Sequence, residues 1–146
     1  MSELPFIIER TYDVSVSKLW EVLTDNEQLK KWYFQMPDFK PMVGFEFSFS
    51  GGAKSEYKHL CRVTEVVPKK RLAYSWRYED YPGNSIVSFE LSEEGKKTKL
   101  RLTHFGLESF KGAGPDFGKD KFAEGWTFIL GKSLKEYLES ETIRTQ

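Results

Sequence analysis

Hydrophobic positions along the chain recur with two different periods, and the change from one to the other divides the sequence. PFIIERTYD (5–13) reads as a first strand, ended by the turn former Asp13. In SVSKLWEVLTD (15–25), Val16, Leu19, Trp20 and Leu23 fall at three- and four-residue steps, which predicts a short amphipathic helix. A second helix is expected to start at Asp25, with Gln28 as its capping-box partner and Leu29, Trp32 and Tyr33 as its apolar stripe. Pro37 and Pro41 stop that helix. From Val43 the period drops to two. VGFEFSFS, YKHLCRVTEVV, RLAYSWRYE, SIVSFELSE and TKLRLTHFGL are five strand candidates, separated by short linkers rich in Gly, Pro, Asn or Lys. Linkers this short suit antiparallel neighbours, because a parallel crossover needs about a dozen residues or more. GLESFKGAGPDFGKD (106–120) then predicts a long, mobile connection that serves either as a lid or as a plain linker. Last, DKFAEGWTFILGKSLKEYLES (120–140) sets Phe122, Trp126, Ile129, Leu130, Leu134, Tyr137 and Leu138 on one face of a helix. Its length is roughly 20 residues, near 30 Å. The closing TIRTQ is expected to fray.

Alternation along a strand sends every second side chain to the same face of a sheet. Phe45, Phe47 and Phe49 therefore share one face with Leu72, Tyr74 and Trp76, with Val87, Phe89 and Leu91, and with Leu100, Leu102 and His104. Tyr57, His59, Cys61 and Val63 join them from one further strand. The chain carries 12 Phe, 7 Tyr and 4 Trp, enough to fill a core or to wall a pocket for a flat apolar ligand. A dry void of ~300 Å³ would cost about 7 kcal/mol, against a whole-domain stability of roughly 5–15 kcal/mol. Any chamber must therefore be wet, filled by ligand, or closed by side chains. A small, partly closed pocket is expected.

Charge and cysteine content narrow the function classes. Lys plus Arg and Asp plus Glu both number 22, so the formal net charge is zero. That argues against a nucleic-acid binder and against a polybasic membrane anchor. No stretch approaches the roughly 20 apolar residues of a membrane span, and MSELPFIIERTYD has no secretory signal pattern. Cys61 is the single cysteine, which points to a reducing cytoplasm. The 146 residues are expected to form one domain, 1–146, with its core at 6–139.

Chemistry-bearing motifs are sparse. His59 and Cys61 share a face and His104 could approach them, but no second metal-spaced pair accompanies them, so no metal site is expected. His59, His104 or Tyr74 could act as acid or base, without a carboxylate partner at recognisable spacing. Cys61 reads as a small buried side chain rather than a nucleophile. No phosphate loop or dinucleotide fingerprint is present, and no cofactor is expected. Gly125 and Gly131 inside the last helix suggest close packing on the sheet, or room left for a ligand.

The segments SVSKLWEVLTD, LKKWY, FEFSFSGG, VTEVVPKKRLAYSWRY, VSFELSEEGKKTKLRLTHFGL and FAEGWTFILGKSLKEYL, in this order, resemble a bacterial-type family. That family is named for its similarity to the C-terminal domain of the heat-shock-protein-90 ATPase activator and lies within the START-like, or SRPBCC, superfamily. The resemblance covers about residues 6 to 139. It implies an α+β helix-grip fold: a curved six-stranded antiparallel sheet wrapped around a long C-terminal helix, with two short helices after the first strand. It also implies a pocket between the concave face and that helix, as in lipid and hormone carriers, pollen-allergen-like proteins, and polyketide cyclases and aromatases. Trp20, Pro68, Trp76 and the Gly125–Trp126 pair match mostly structural positions of the family, and no universal catalytic residue carries over.

The ligand-binding set expected on this basis is Phe45, Phe47, Phe49, Tyr57, His59, Tyr74, Trp76, Phe89, His104, Phe122, Trp126, Ile129 and Leu130. The leading expectation is a domain, more likely a binder than an enzyme, that holds a small hydrophobic or aromatic molecule. The alternatives are a chaperone partner acting on its ATPase, and a cyclase- or hydrolase-type enzyme using pocket His or Tyr. A monomer and a homodimer through strand edges or helices are both compatible with the sequence.

Overall fold

The computed structural model describes residues 5–33, 38–51, 57–113 and 118–144, with side chains described for these except 51, 57, 111, 113 and 141–144. Strand β1 (Phe6–Tyr12) leads into helices α1 (Val16–Thr24) and α2 (Asn26–Trp32). Five strands follow: β2 (Glu46–Gly51), β3 (Tyr57–Val67), β4 (Arg71–Tyr78), β5 (Ser85–Glu94) and β6 (Lys97–Phe105). They form one six-stranded sheet in the order β1-β6-β5-β4-β3-β2, antiparallel at every pairing. β1 and β2 are thus the two edges, about 24 Å apart at ~4.8 Å per strand. Helices α1 and α2 bridge that width. The α+β helix-grip architecture expected from the sequence is the observed one.

Local chemistry explains the boundaries. The Ser15 hydroxyl accepts from the Lys18 amide at 3.1 Å and caps α1, which buries Leu19, Val22 and Leu23 while Trp20 is only half-buried. At α2 the capping box takes another form. Asp25 makes no side-chain bond to the helix backbone, and its carboxylate instead accepts from the Gln28 side-chain amide at 3.2 Å. Strand β2 starts three residues later than the alternation suggests: Val43 is 67% exposed and Gly44, at φ +92°, makes a turn. In β3 the register shifts between Val63 and Glu65, a bulge that bends the strand.

The last helix is longer and less regular than expected. It runs from α3 (Lys119–Phe128) through a π-helical segment (Ile129–Leu134) into α4 (Lys135–Arg144). Leu130 and Leu134 inside the π segment are fully buried, and the Leu130 carbonyl accepts from the Tyr12 hydroxyl at 2.7 Å. Gly125 is exposed, with nothing within 4 Å of where a Cβ would stand, so the packing expected there is absent. Gly131 does face a neighbour, the Arg10 guanidinium of β1. Among the described residues no helix is long and apolar enough to cross a membrane.

The connection after β6 differs most from its sequence reading. Residues 107–113 form a 3-10 segment that packs inward, with Leu107 buried and Phe110 fully so. Phe110 lies against Tyr78 at 5.4 Å and stacks on Phe122 at 5.7 Å. The Ser109 hydroxyl bonds the Asn84 and Gly106 carbonyls at 2.6 and 2.7 Å. Gly114 and Pro115, also part of the expected mobile stretch, lie outside the described residues, as do Pro37 and the tip of the SGGAKS linker. Gly83 stands under this plug at φ +108°, where an added Cβ would collide with the Phe110 ring and the Ser109 carbonyl. Gly83→Ala should therefore cost about 2 kcal/mol or more, a fall of roughly 4–8 °C in Tm. A calorimetric melt within about 1–2 °C of wild type would show that the plug does not bear on Gly83.

Candidate functional site: the grip between sheet and C-terminal helix

The concave face carries the inward set. Across strands, Phe47 stands beside Cys61 and Trp76, Phe49 beside His59, and Val63 beside Tyr74, Val87 and His104. All of these are buried, as are Leu72, Phe89, Leu91, Leu100 and Leu102; Phe45 is half-buried against them. From the helix, Phe122, Trp126 and Leu130 answer fully, and Ile129 partly. The backbone of Tyr57 pairs with Gly51 at the start of β3, but its side chain lies outside the described residues.

A hydrogen-bond chain ties the helix to the sheet. The Trp126 indole donates to His104 Nδ1 at 3.1 Å, and His104 Nε2 meets the Ser85 hydroxyl at 2.8 Å. Ser85 in turn donates to the Trp76 carbonyl at 2.8 Å. An indole only donates, so Nδ1 must be the bare nitrogen, and the ring proton sits on Nε2, facing Ser85. This tautomer is the reverse of the one a Ser–His nucleophile pair needs, because Nε2 cannot then take the serine proton. Burial also disfavours the imidazolium and holds His104 down at about 3. Ser85 had no sequence signal: it stands at a strand start where alternation alone does not distinguish a hydrogen-bonded serine from a surface one.

His59 is used differently. It stacks on Phe49 with ring centres 4.4 Å apart and meets Trp76 and Tyr78 edge-on at 4.9 and 4.6 Å. Strands β4 and β5 separate its strand from that of His104. Among the described residues no three His, Cys, Asp or Glu side chains gather as metal ligands would. Cys61 is buried, and burial pushes its thiol up, disfavouring the thiolate a nucleophile requires.

Among the described residues, a space between sheet and helices lies on the α2 side. It is a void of about 10 Å³, room for roughly one water. Of the expected set, Phe47, Tyr74 and Phe89 line it. Leu72 of β4, Leu23 of α1, Leu29, Trp32 and Tyr33 from α2 and its end, and Phe39 complete the wall. The helical stripe had marked Leu29, Trp32 and Tyr33 as buried without saying against what; Phe39, between two prolines, had no periodic signal. The polar feature of this wall is the contact between the Tyr33 and Tyr74 hydroxyls at 2.7 Å. Burial and the mutual contact raise Tyr33 well above the ordinary phenol value, and burial raises Tyr74 likewise, so both stay neutral donors and acceptors. Of the other expected residues, Phe45, Phe49, His59, Trp76, His104, Phe122 and Trp126 pack in an aromatic lattice, with Trp126 meeting Trp76 at 5.5 Å and Phe89 at 6.1 Å. Among the described residues two larger clefts, about 510 and 730 Å³, open to solvent outside the grip, and none of the expected residues lines either.

The sequence profile of the activator of Hsp90 ATPase homolog 1-like proteins matches residues 13–139. Among solved structures, MLL2253 from Mesorhizobium loti is 28% identical, with 93% of this chain and 97% of that one covered at a TM-score of 0.76. CalU16 from Micromonospora echinospora is 27% identical over 96% and 79%, at 0.69. DynU16, from the dynemicin biosynthetic locus, shares the fold at 19% identity and a TM-score of 0.76, over 95% of this chain and 48% of that one. No curated protein sequence matches significantly.

The neutral buried His104 gives the site a pH signature. Unfolded, the ring takes a proton near pH 6.5; folded, it resists to about 3. Stability from this group is thus complete above pH 6.5 and is lost as pH falls toward 3, with the unfolded chain binding the extra proton. Between pH 7 and 5 the loss should be about 2 kcal/mol. Urea unfolding of wild type and His104→Gln at both pH values checks this. An equal pH dependence in the two proteins would contradict a neutral, buried ring.

Proposed function

The chain belongs to the family of activator of Hsp90 ATPase homolog 1-like proteins, and we propose that it serves there as a START-like binder of a small hydrophobic or aromatic molecule, in the cytoplasm. The observation that carries this reading is the void under α2, walled by aromatic and aliphatic side chains around the Tyr33–Tyr74 hydroxyl pair. Ligand pockets have this make-up: mostly apolar lining with a few placed polar groups that fix orientation. At about 10 Å³ the chamber is closed by its own side chains. A ligand therefore binds by displacing Tyr33 and Phe39, the wall members outside the sheet and the helix interiors. Phe47, Tyr74 and Phe89 would hold its faces, and the remaining expected residues, from Phe45 and Phe49 to Ile129 and Leu130, would form the support behind them.

Phe39→Ala tests this by removing one wall. The variant should lose about 3–5 kcal/mol and recover part of it when indole or naphthol fills the space, read as a rise in Tm larger than wild type shows with the same compound. No shift with any member of a panel of flat apolar compounds, in either protein, would reject the reading. The family description carries a second one, stimulation of a chaperone ATPase. Chaperone ATPase assays with the purified chain decide it, an unchanged rate removing it.

A further inference from the structure

The convex face of the sheet carries three rows of side chains across β1, β6, β5 and β4. The first row reads Glu9, Arg101, Glu90, Arg71, alternating in charge from strand to strand. The next reads Ile7, Thr103, Ser88, Ala73. The third has Phe105 beside Ile86 on β6 and β5. Ile7, Ile86 and Phe105 are 53%, 41% and 43% exposed, so three large apolar side chains project from one face. Ser88 Oγ is buried and has no hydrogen-bond partner among the described residues. Arg101 pairs with Glu9 at 2.6 Å and Arg71 with Glu65 at 3.1 Å, while Glu90 between them is in no ion pair among the described residues.

An alternating row of even length is its own complement when reversed. A two-fold axis that runs along the strands between β5 and β6 reverses all three rows at once. Arg101 then faces the second copy's Glu90, and Glu9 faces Arg71, opposite charges in each case. Thr103, Ser88 and Ala73 of the second row are buried within each protomer, so the contact across the axis rests on the first and third rows. In the third row Phe105 faces Ile86. Facing sheets lie about 30° apart because each is twisted, so the inner pairs, from β5 and β6, stay in register while the outer ones diverge. We propose that this convex face is a homodimer interface, two copies meeting sheet to sheet about that axis, with Phe105 and Ile86 as its apolar centre and Arg101–Glu90 as its charge register. The concave grip is left open to its own ligand, so the two readings are independent.

Sedimentation velocity across micromolar to millimolar protein measures it. Wild type should shift from monomer to dimer with concentration. Ile86→Lys, at an exposed position, and Glu90→Arg, which sets arginines against each other across the axis, should each weaken the dimer roughly tenfold or more, with far-UV circular dichroism unchanged. Arg101→Glu combined with Glu90→Arg restores opposite charges between copies and should recover the dimer, although its in-chain pair with Glu9 is lost. A wild type that stays monomeric throughout overturns the proposal. So does a dimer indifferent to both single substitutions, or a double variant no better than Glu90→Arg.

Discussion

The contact on which the rest of the structure depends is the indole of Trp126 donating to His104 across the boundary between helix and sheet. Both groups are buried, and a buried polar group left without its partner costs roughly 1–3 kcal/mol, so neither can separate from the other cheaply. His104 passes the constraint on, through Ser85, to the backbone of Trp76 in β4. Three strands and the helix are thereby set in one relative position. With that position set, the aromatic side chains of β2, β3 and β4 have one surface to pack against, and the plug at Phe110 closes on Phe122 from the same helix.

The bearing of this frame on function is a matter of volume. An aromatic wall facing a helix can enclose a ligand or close on itself, and among the described residues the void under α2 closes to about one water. Closure is achieved from the α2 side, by Trp32, Tyr33 and Phe39, and hydrogen bonds hold this side as well as the Trp126 side: the Trp32 indole donates to the Val22 carbonyl at 3.1 Å, and the Ser133 hydroxyl donates to the Trp32 carbonyl at 2.7 Å. Within the α2 wall the Phe39 side chain is the one held by packing alone, against Phe45 and Phe47, and is the cheapest to move. The hydroxyl pair of Tyr33 and Tyr74 stands at that side, so the polar group available to orient a bound molecule and the wall that must move coincide.

Much of this was legible in the chain. Period-two alternation located β3 to its residue bounds and assigned the inward faces of β2 to β6, because a half-buried strand cannot exchange its faces without exposing Phe47 or Trp76. Helix capping at α2 and the apolar stripe of the last helix were visible too, the capping in a different form from the one expected. Three things were not. The 107–113 plug has glycines at its end and no period, so Leu107 and Phe110 looked like loop residues until tertiary packing buried them. The π segment has the same apolar spacing as an α-helix, so no periodic signal sets it apart, and its contact with Tyr12 joins residues 118 positions apart. The network around His104 joins residues 19 and 22 positions away in sequence, a relation that no local pattern encodes. Of the candidate site, the sheet wall could be read and the place of the α2 wall could not, since which part of the sheet α2 covers is decided by the crossover between the two edge strands.

Nitrogen-15 NMR of the histidine ring, combined with hydrogen exchange of the tryptophan indole protons, tests the central contact most directly. The expected result is a neutral His104 with its proton on Nε2, and a Trp126 indole proton that exchanges only as the whole protein unfolds. A proton on Nδ1, or a Trp126 indole that exchanges as fast as that of the half-buried Trp20, would contradict the account.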